Sequence, residues 1–430
     1  MDNSFKKILS TFLFPKGQES IRHALIRSSA LNLLARGLGY LRQIAIAILL
    51  GFSIKTDAFF MALSLMGIFL TFVDVFDSIG VPNLVRARLK NPEEFKRLAG
   101  LLFSFTLILS LSALLLSLLF MPLILKIPRG FSKEALNYTQ IAYLLLIPYM
   151  FFSFLFHHFG AVLRSERRFT AYFVGEFILT IFNFLFTLLG LILTSDWRVL
   201  PLSLSFAQAV ATIYMLYAGK EFLHLRLYFD DTVKYLLKTF FYLSSLYGVF
   251  HLYILVDRAF ASYLGEKAVS ALSYGLMIAA SPTGIIKLQH MAITALSEDP
   301  RKERLNFFLK KIFLIILPVA LILFLFSTLI VKLLFGYGKF SHLDVNLTAV
   351  ALRYYALSLP FFFAWPILYR YFQVKENLKP LFFIALLGVF VNFLMNYLLV
   401  FKLGLGLAGI CLGTFVAYVF LCGISYFLAK

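Results

Sequence analysis

The sequence predicts an all-α polytopic membrane protein of about 12 transmembrane helices, arranged as two six-helix lobes related by an internal repeat. Three observations carry this expectation. Of the 430 residues, 61% are hydrophobic and only 14% charged, whereas soluble domains run near 45–50% and about 25%. The apolar residues come in runs such as 101–121 and 312–334 that are apolar on every face, which excludes a membrane barrel built from short alternating strands. The remaining charge is lopsided, with 40 Lys and Arg against 21 Asp and Glu. It falls in short clusters between the apolar runs, where it reads as a topology signal rather than a nucleic-acid patch. Composition excludes a secreted disulfide scaffold, a disordered chain and a cytosolic enzyme. Cys411 and Cys422 both lie in the last apolar run and form no disulfide framework.

A span needs about 20 mostly apolar residues. Read against charged and Pro/Gly punctuation, the first half predicts helices over 28–51, 57–84, 99–124, 138–163, 171–193 and 200–218. The second half predicts 239–256, 268–290, 312–334, 346–369, 380–400 and 407–428. Residues 1–27 form a cytoplasmic N-terminal segment. There Phe5, Ile8, Leu9, Phe12 and Leu13 recur at helical spacing beside Lys6 and Lys7, the pattern of an interfacial amphipathic helix. No small-residue cleavage site follows, which argues against a signal peptide. Residues 28–218 make the N-terminal lobe and 239–430 the C-terminal lobe. Between them lies a cytoplasmic linker, 219–238, carrying Lys220, Glu221, Arg226, Asp230 and Asp231. With this alternation one side of the membrane receives 26 Lys and Arg and the other 10, which puts both termini in the cytoplasm.

The two halves echo each other. Glu166 precedes a helix carrying Asn183, and Glu376 precedes one carrying Asn392, at offsets of 210 and 209 residues. Both motifs fall on the fifth helix of their half. Parallel repeats of this kind build transporters whose lobes rock around a central cavity.

Ionisable groups inside spans are costly and usually face a bundle interior or a wet cavity. Asn32, Arg36 and Gln43 share one face of the first helix, with Gly39 between them, while Arg42 points about 120° away. These residues either attract an anionic headgroup or pair between helices. Asp57 opens the second helix, where a carboxylate suits the positive helix end as a cap or as part of a site. Asp74 and Asp77, three apart, either answer the arginines or bind a coupling cation. Glu176 shares a face with Asn183 and reads as a coupling carboxylate or a shallow solvated one. Arg353, two turns into the tenth helix, is the second lobe's anion-binding candidate. Asp257 and Arg258 end the seventh helix and are expected at the external interface. Lys287 and His290 read as cytoplasmic anchors. His157, His158 and His251 lack partners at metal-ligand spacing, so no metal site is expected. No nucleotide, metalloprotease or nucleophile-elbow signature is present, so no enzyme activity is expected. Energy must then come from membrane potential, from H+ or Na+ coupling or from the substrate's own gradient, with no cofactor.

Ala35-Arg36-Gly37-Leu38-Gly39-Tyr40-Leu41-Arg42, followed by Gly51 and Thr56-Asp57-Ala58-Phe59-Phe60, resembles the opening of the MviN-type (MurJ) lipid II flippases. Val256-Asp257-Arg258-Ala259-Phe260-Ala261-Ser262 and Val269-Ser270-Ala271-Leu272-Ser273-Tyr274 are similar to that family's seventh-to-eighth helix connection. Leu334-Phe335-Gly336, Leu359-Pro360, Lys379-Pro380, Asn392 and Gly406-Leu407-Ala408 continue the series in order. The resemblance implies two six-helix lobes that open alternately to each side. It also implies a cationic cavity for the diphosphate of an undecaprenyl-linked precursor, with Arg36, Arg42 and Asp57 at positions important in the family. Two arginine-bearing motifs of the family are replaced here by Met66-Gly67-Ile68-Phe69-Leu70-Thr71 and Tyr274-Gly275-Leu276-Met277.

The expected function is therefore transport of a lipid-linked glycan, lipid II first, across the bacterial inner membrane. Substrate binding falls to Asn32, Arg36, Arg42, Gln43 and Arg353, and coupling or gating to Asp57, Asp74, Asp77 and Glu176. Alternatives are a flippase for another lipid-linked oligosaccharide, an ion-coupled multidrug-type exporter, or a transport-inactive scaffold of cell-wall synthesis. Expected partners are the lipid-linked substrate, membrane lipids and cell-wall synthesis enzymes, with no nucleic acid.

Overall fold

The computed structural model describes residues 19, 21–228, 231–285, 296, 301–375, 377 and 379–429. The predicted amphipathic N-terminal helix, Asp230, Lys287, His290 and Glu376 lie outside them. The described secondary structure is helical. The first helices are α1 (Ile21–Leu50), α2 (Ile54–Leu70), α3 (Val73–Lys90), α4 (Pro92–Leu119) and α5 (Lys133–Ser165). They are followed by α6 (Phe169–Thr194), α7 (Val199–Ala218), α8 (Asp231–Ala261), α9 (Ala268–Ile285) and α10 (Lys302–Leu325). The chain closes with α11 (Ser327–Phe335), α12 (His342–Ala356), α13 (Leu359–Val374), α14 (Lys379–Asn396) and α15 (Gly406–Leu428). The expected spans fall on these helices with three breaks: 57–84 divides between α2 and α3 at residues 71–72, 312–334 between α10 and α11 at Phe326, and 346–369 between α12 and α13. Spans 99–124 and 380–400 run past the ends of α4 and α14, and residues 286–290 lie outside the described residues. Among the described residues, eight helices are long and apolar enough to cross a membrane, and nine if the bent pair α12–α13 is one span.

Local chemistry explains the breaks. The expected span 346–369 is bent by 45° between α12 and α13, where Pro360 supplies no N–H to continue the ladder. The long helix α4 starts where Asn91 accepts from the Glu94 N–H at 2.6 Å, ahead of Pro92 and two acidic residues in the first turn. A capping box of Ser341 and Asp344 opens α12.

The chain divides into two compact units. The first gathers Met1–Leu50, Leu65–Ile124 and Gln140–Tyr247, and the second Gly51–Ser64, Leu125–Thr139 and Gly248–Lys430. Helices α2, α5 and α8 therefore each begin in one unit and end in the other.

In the first unit α1 lies along α6, α6 packs on α7, and α3 packs on α4. Phe156, Phe159, Leu163, Tyr172 and Met215 form its buried centre. In lipid, helices gain little from the hydrophobic effect and depend on close packing and polar contacts. Gly175 shows this: a Cβ there would sit 2.6 Å from the Met215 sulfur. One end of the unit is tied by polar groups. Arg88 donates to the Ser165 carbonyl at 2.5 Å, Arg168 pairs with Glu221 at 2.5 Å, and the Glu19 carboxylate accepts from the Thr170 N–H at 2.8 Å. Burial at this end raises the Glu166 carboxyl above its ordinary value, against the opposing pull of Arg88.

In the second unit α14 pairs with α15, α9 with α12, α10 with α13, and α12 with α15. Rings of Phe52, Phe60, Tyr274, Phe335 and Phe340 interlock edge-on and tilted, with neighbouring centroids 4.8–6.3 Å apart. The chain reaches this cluster through Gly51, at φ +67°, where a Cβ would lie 2.5 Å from the Lys339 carbonyl oxygen.

Candidate functional site

Each unit holds a polar cluster at the same place in the repeat. In the first unit the cluster joins α1 to α6 and α7. Arg42 is only 7% exposed, and its Nε donates to Thr187 Oγ1 at 2.9 Å. The Thr187 hydroxyl lies 2.8 Å from that of Ser203, which in turn donates to Asn183 Oδ1 at 3.3 Å. Arg36, one and a half turns earlier, is exposed and donates from Nε to Asn32 Oδ1 at 3.0 Å. A Cβ added at Gly37 or Gly39 would meet nothing within 4 Å, so this stretch of α1 borders open space. Gln43 is half-buried. The structure thus separates the two arginines by setting: Arg42 is locked between helices, whereas Arg36 stands at an open face.

Glu176 lies two turns before Asn183 on α6, half-buried, and accepts from the Tyr172 hydroxyl at 2.5 Å. The Arg164 guanidinium stacks 4.2 Å from the Tyr172 ring centroid, so the carboxylate belongs to a short chain of polar contacts. Asp74 and Asp77 fall on α3, and their side chains lie outside the described residues.

In the second unit, Asp57 is buried and serves a helix other than its own. Its Oδ2 accepts from the Lys267 N–H at 2.6 Å, and its Oδ1 accepts from the Ser270 N–H at 2.8 Å and hydroxyl at 2.5 Å. These are the free N–H groups at the start of α9, so Asp57 acts as a cap supplied from 210 residues away. Lys267, at φ +74°, turns its Nζ to Asp344 Oδ1 at 2.9 Å. Arg353 is half-buried on α12, and its Nε donates to Ser327 Oγ at 3.2 Å. Two residues on, Tyr355 points to the opposite side of that helix.

Tyr355 leads to the second polar cluster, centred on Asp257. Asp257, expected near the external interface, is 3% exposed and surrounded by α12, α14 and α15. Its Oδ2 accepts from the Tyr355 hydroxyl at 2.8 Å and the Thr414 hydroxyl at 2.6 Å. Its Oδ1 accepts from the Asn396 amide at 2.9 Å and the Asn392 amide at 3.2 Å. Each of these four donors is uncharged. Arg258, next in sequence, is directed elsewhere, to the Phe60 carbonyl and the Ser64 hydroxyl. The Oδ1 atoms of Asn392 and Asn396 are buried and have no hydrogen-bond partner. Tyr253, Leu276, Thr283 and Phe362 help line a cavity of about 280 Å³ that reaches Asp257.

The clusters correspond residue by residue. Asn183 matches Asn392 at an offset of 209, Thr187 matches Asn396 at 209, and Ser203 matches Thr414 at 211. The ionic member is inverted, a cation from the first helix of one half (Arg42) and an anion from the first helix of the other (Asp257). One seat can hold an anion's partner. The other offers a carboxylate, two amide oxygens and hydroxyls, the hard-oxygen set that suits a small cation. Among the described residues no three His, Cys, Asp or Glu side chains come together as a metal site. Thr187, Ser203, Tyr355, Asn396 and Thr414 were not singled out from sequence. The available signal was the 209-residue offset, which extends from Asn183 one turn onward to Thr187 and Asn396.

Two units of membrane-crossing helices, with charged residues seated in polar clusters between spans, define a polytopic helical transporter. The model of the lipid II flippase MurJ family matches residues 46–430, and the chain belongs to that family. It is 27% identical over 406 residues to a probable lipid II flippase MurJ of Aquifex aeolicus, covering 90% of this chain and 79% of that one. A probable lipid II flippase MurJ of Rickettsia prowazekii is 27% identical over 414 residues, covering 92% and 81%. Among solved structures, a lipid II flippase MurJ in its inward closed conformation superposes with a TM-score of 0.77. That match has 23% identity and covers 94% of this chain and 87% of that one. An inward-facing multidrug resistance MATE family transporter gives a TM-score of 0.66 at 15% identity, covering 98% and 96%.

Proposed function

We propose that this chain moves lipid II, an undecaprenyl-diphosphate-linked cell-wall precursor, across the bacterial inner membrane by alternating access, with both termini in the cytoplasm. Family membership supports the cargo, and the arginine-bearing face of α1 supports the means of holding it. A guanidinium fork matches the oxygens of a diphosphate and keeps its charge at any physiological pH. Arg36 supplies that fork at the open face, helped by Asn32 and Gln43, while Arg42 supplies fixed positive charge from within the helix packing. Arg353 adds charge from α12. Enzymes that use the flipped precursor are the expected partners.

Coupling is proposed to run through Asp257 rather than Glu176, because only Asp257 is an anion enclosed by neutral oxygens with two acceptors to spare. Sodium or a proton entering there from the outside would move down an inside-negative potential, worth about 2.3 kcal/mol per charge per 100 mV. Asp57 is a gating residue in this scheme, since releasing α9 from its cap requires breaking three hydrogen bonds at once. Asp74 and Asp77 remain candidates for the same role.

The decisive experiment is rescue of a bacterial strain depleted of its own lipid II flippase. The wild-type chain should restore growth, and the Arg36→Ala, Arg42→Ala double variant should not, at equal membrane abundance. Rescue by the double variant would remove the arginines from the mechanism. Failure of the wild type to rescue, together with no lipid II movement in liposomes, would remove the cargo.

A further inference from the structure

A cleft of about 820 Å³ opens in the second unit between α10, α13 and α15, within the range of roughly 300–1,000 Å³ that buries a drug-sized ligand. Its floor and walls are apolar, from Phe313, Leu314, Leu317, Phe361, Leu368 and Val419. One end is different. Lys302, Asn306 and Lys310 succeed one another at four-residue spacing on α10, so they share the face that carries Phe313 and Leu317. Lys310 and Asn306 line the cleft, and Lys302 rests its ammonium 5.2 Å from the ring centroid of Tyr426, a lining residue in the last turns of α15. Asn306 Oδ1 is buried and has no hydrogen-bond partner. Lysines and a tyrosine gathered at a helix end, above an apolar cleft, have the polarity of the membrane interface.

We propose that this cleft is a binding site for an anionic phospholipid of the leaflet on the side of the N-terminal end of α10. One acyl chain lies along Phe313, Leu317 and Phe361. The phosphate sits between Lys302 and Lys310, and Asn306 Oδ1 accepts from a headgroup or glycerol hydroxyl. Charge complementarity selects this occupant. An uncharged hydrocarbon would leave the lysines and the buried amide oxygen without a role, and a basic pocket between spans is the usual seat of an acidic headgroup. The site does not depend on what the protein transports, so its test reads lipid retention and not flipping.

The test is native mass spectrometry of the full chain in detergent, titrated with equimolar phosphatidylglycerol and phosphatidylcholine. Wild type should retain phosphatidylglycerol preferentially. Each lysine near the surface contributes about fivefold, so the Lys302→Gln, Lys310→Gln double variant should lose about 25-fold in preference while still binding both lipids weakly. A second variant blocks the chain channel without touching charge. Gly423 lines the cleft, and a Cβ there meets nothing within 4 Å. Gly423→Phe should therefore fold, because the ring enters open space and the helix loses a glycine, yet it should retain neither lipid. Circular-dichroism melting checks that both variants are folded. Equal retention of the two lipids by wild type, undiminished retention by Gly423→Phe, or a second copy of the chain retained in place of lipid would each overturn the proposal.

Discussion

Replacing Asp257 by Asn separates a cation seat from a merely structural carboxylate, because the two roles change stability in different ways. Asp257 accepts four hydrogen bonds from neutral donors. Bonds to a charged acceptor contribute about 1.5–3 kcal/mol each and neutral ones about 0.5–1.5, so removing the charge forfeits roughly 4–6 kcal/mol. Burying an ion costs several kcal/mol even after relaxation, and the Asn variant recovers that. In cation-free buffer the two nearly cancel, and Asp257→Asn should unfold within about 2 kcal/mol of wild type. Added cation changes the balance for wild type alone. At a concentration 100-fold above its dissociation constant it stabilises the protein by about 2.7 kcal/mol, and the variant should gain nothing. The assay is thermal unfolding in detergent with Na+ or K+ exchanged for choline at constant ionic strength. A wild type indifferent to the exchange, or a variant with an undiminished response, would refute the reasoning.

Four further outcomes follow from the same contacts. Gly413→Ala places a methyl on Asn396 Oδ1; it should weaken the cation response with Asp257 intact, measured by the same unfolding assay. Tyr355→Phe removes one donor to Asp257 and should cost about 1.5–3 kcal/mol in cation-free stability, read from urea or heat unfolding. Asp57→Ala leaves the first N–H groups of α9 uncapped and should cost about 0.5–2 kcal/mol in thermal unfolding, whereas Asp57→Asn keeps one acceptor oxygen where two now accept and should restore only part of it. Arg42→Lys should transport lipid II better than Arg42→Ala but below wild type in liposomes, because a lysine keeps the charge and loses the planar fork that reaches Thr187.

The helices were legible because each depends only on nearby residues. An apolar run of span length must satisfy its backbone internally, and that makes it a helix wherever it sits. Breaks at Pro360 and caps at Asn91 and Ser341 are likewise local. The polar residues were partly legible. Arg36 and Arg42 stand out by cost alone, and Asn183 and Asn392 by their repeat offset. The surroundings of Asp257 were not legible, because its nearness to a helix end says nothing about what packs beside it. Its partners come from 98 to 157 residues further along the chain. Asp57 was legible as a helix-terminal carboxylate, but the helix it caps begins more than 200 residues later.

Sequence by itself determined that this is a helical membrane protein, because its apolar runs are long enough to span a bilayer and its charges cluster between them. Tertiary structure decided which charges are buried and what they touch. It joined Asp257 to Tyr355, Asn392, Asn396 and Thr414, matched that cluster to the one around Arg42, and set lysines at the mouth of an apolar cleft. The physical reason is range: helix formation is settled within about 20 residues, whereas the environment of a buried charge is settled by whichever distant helices pack against it.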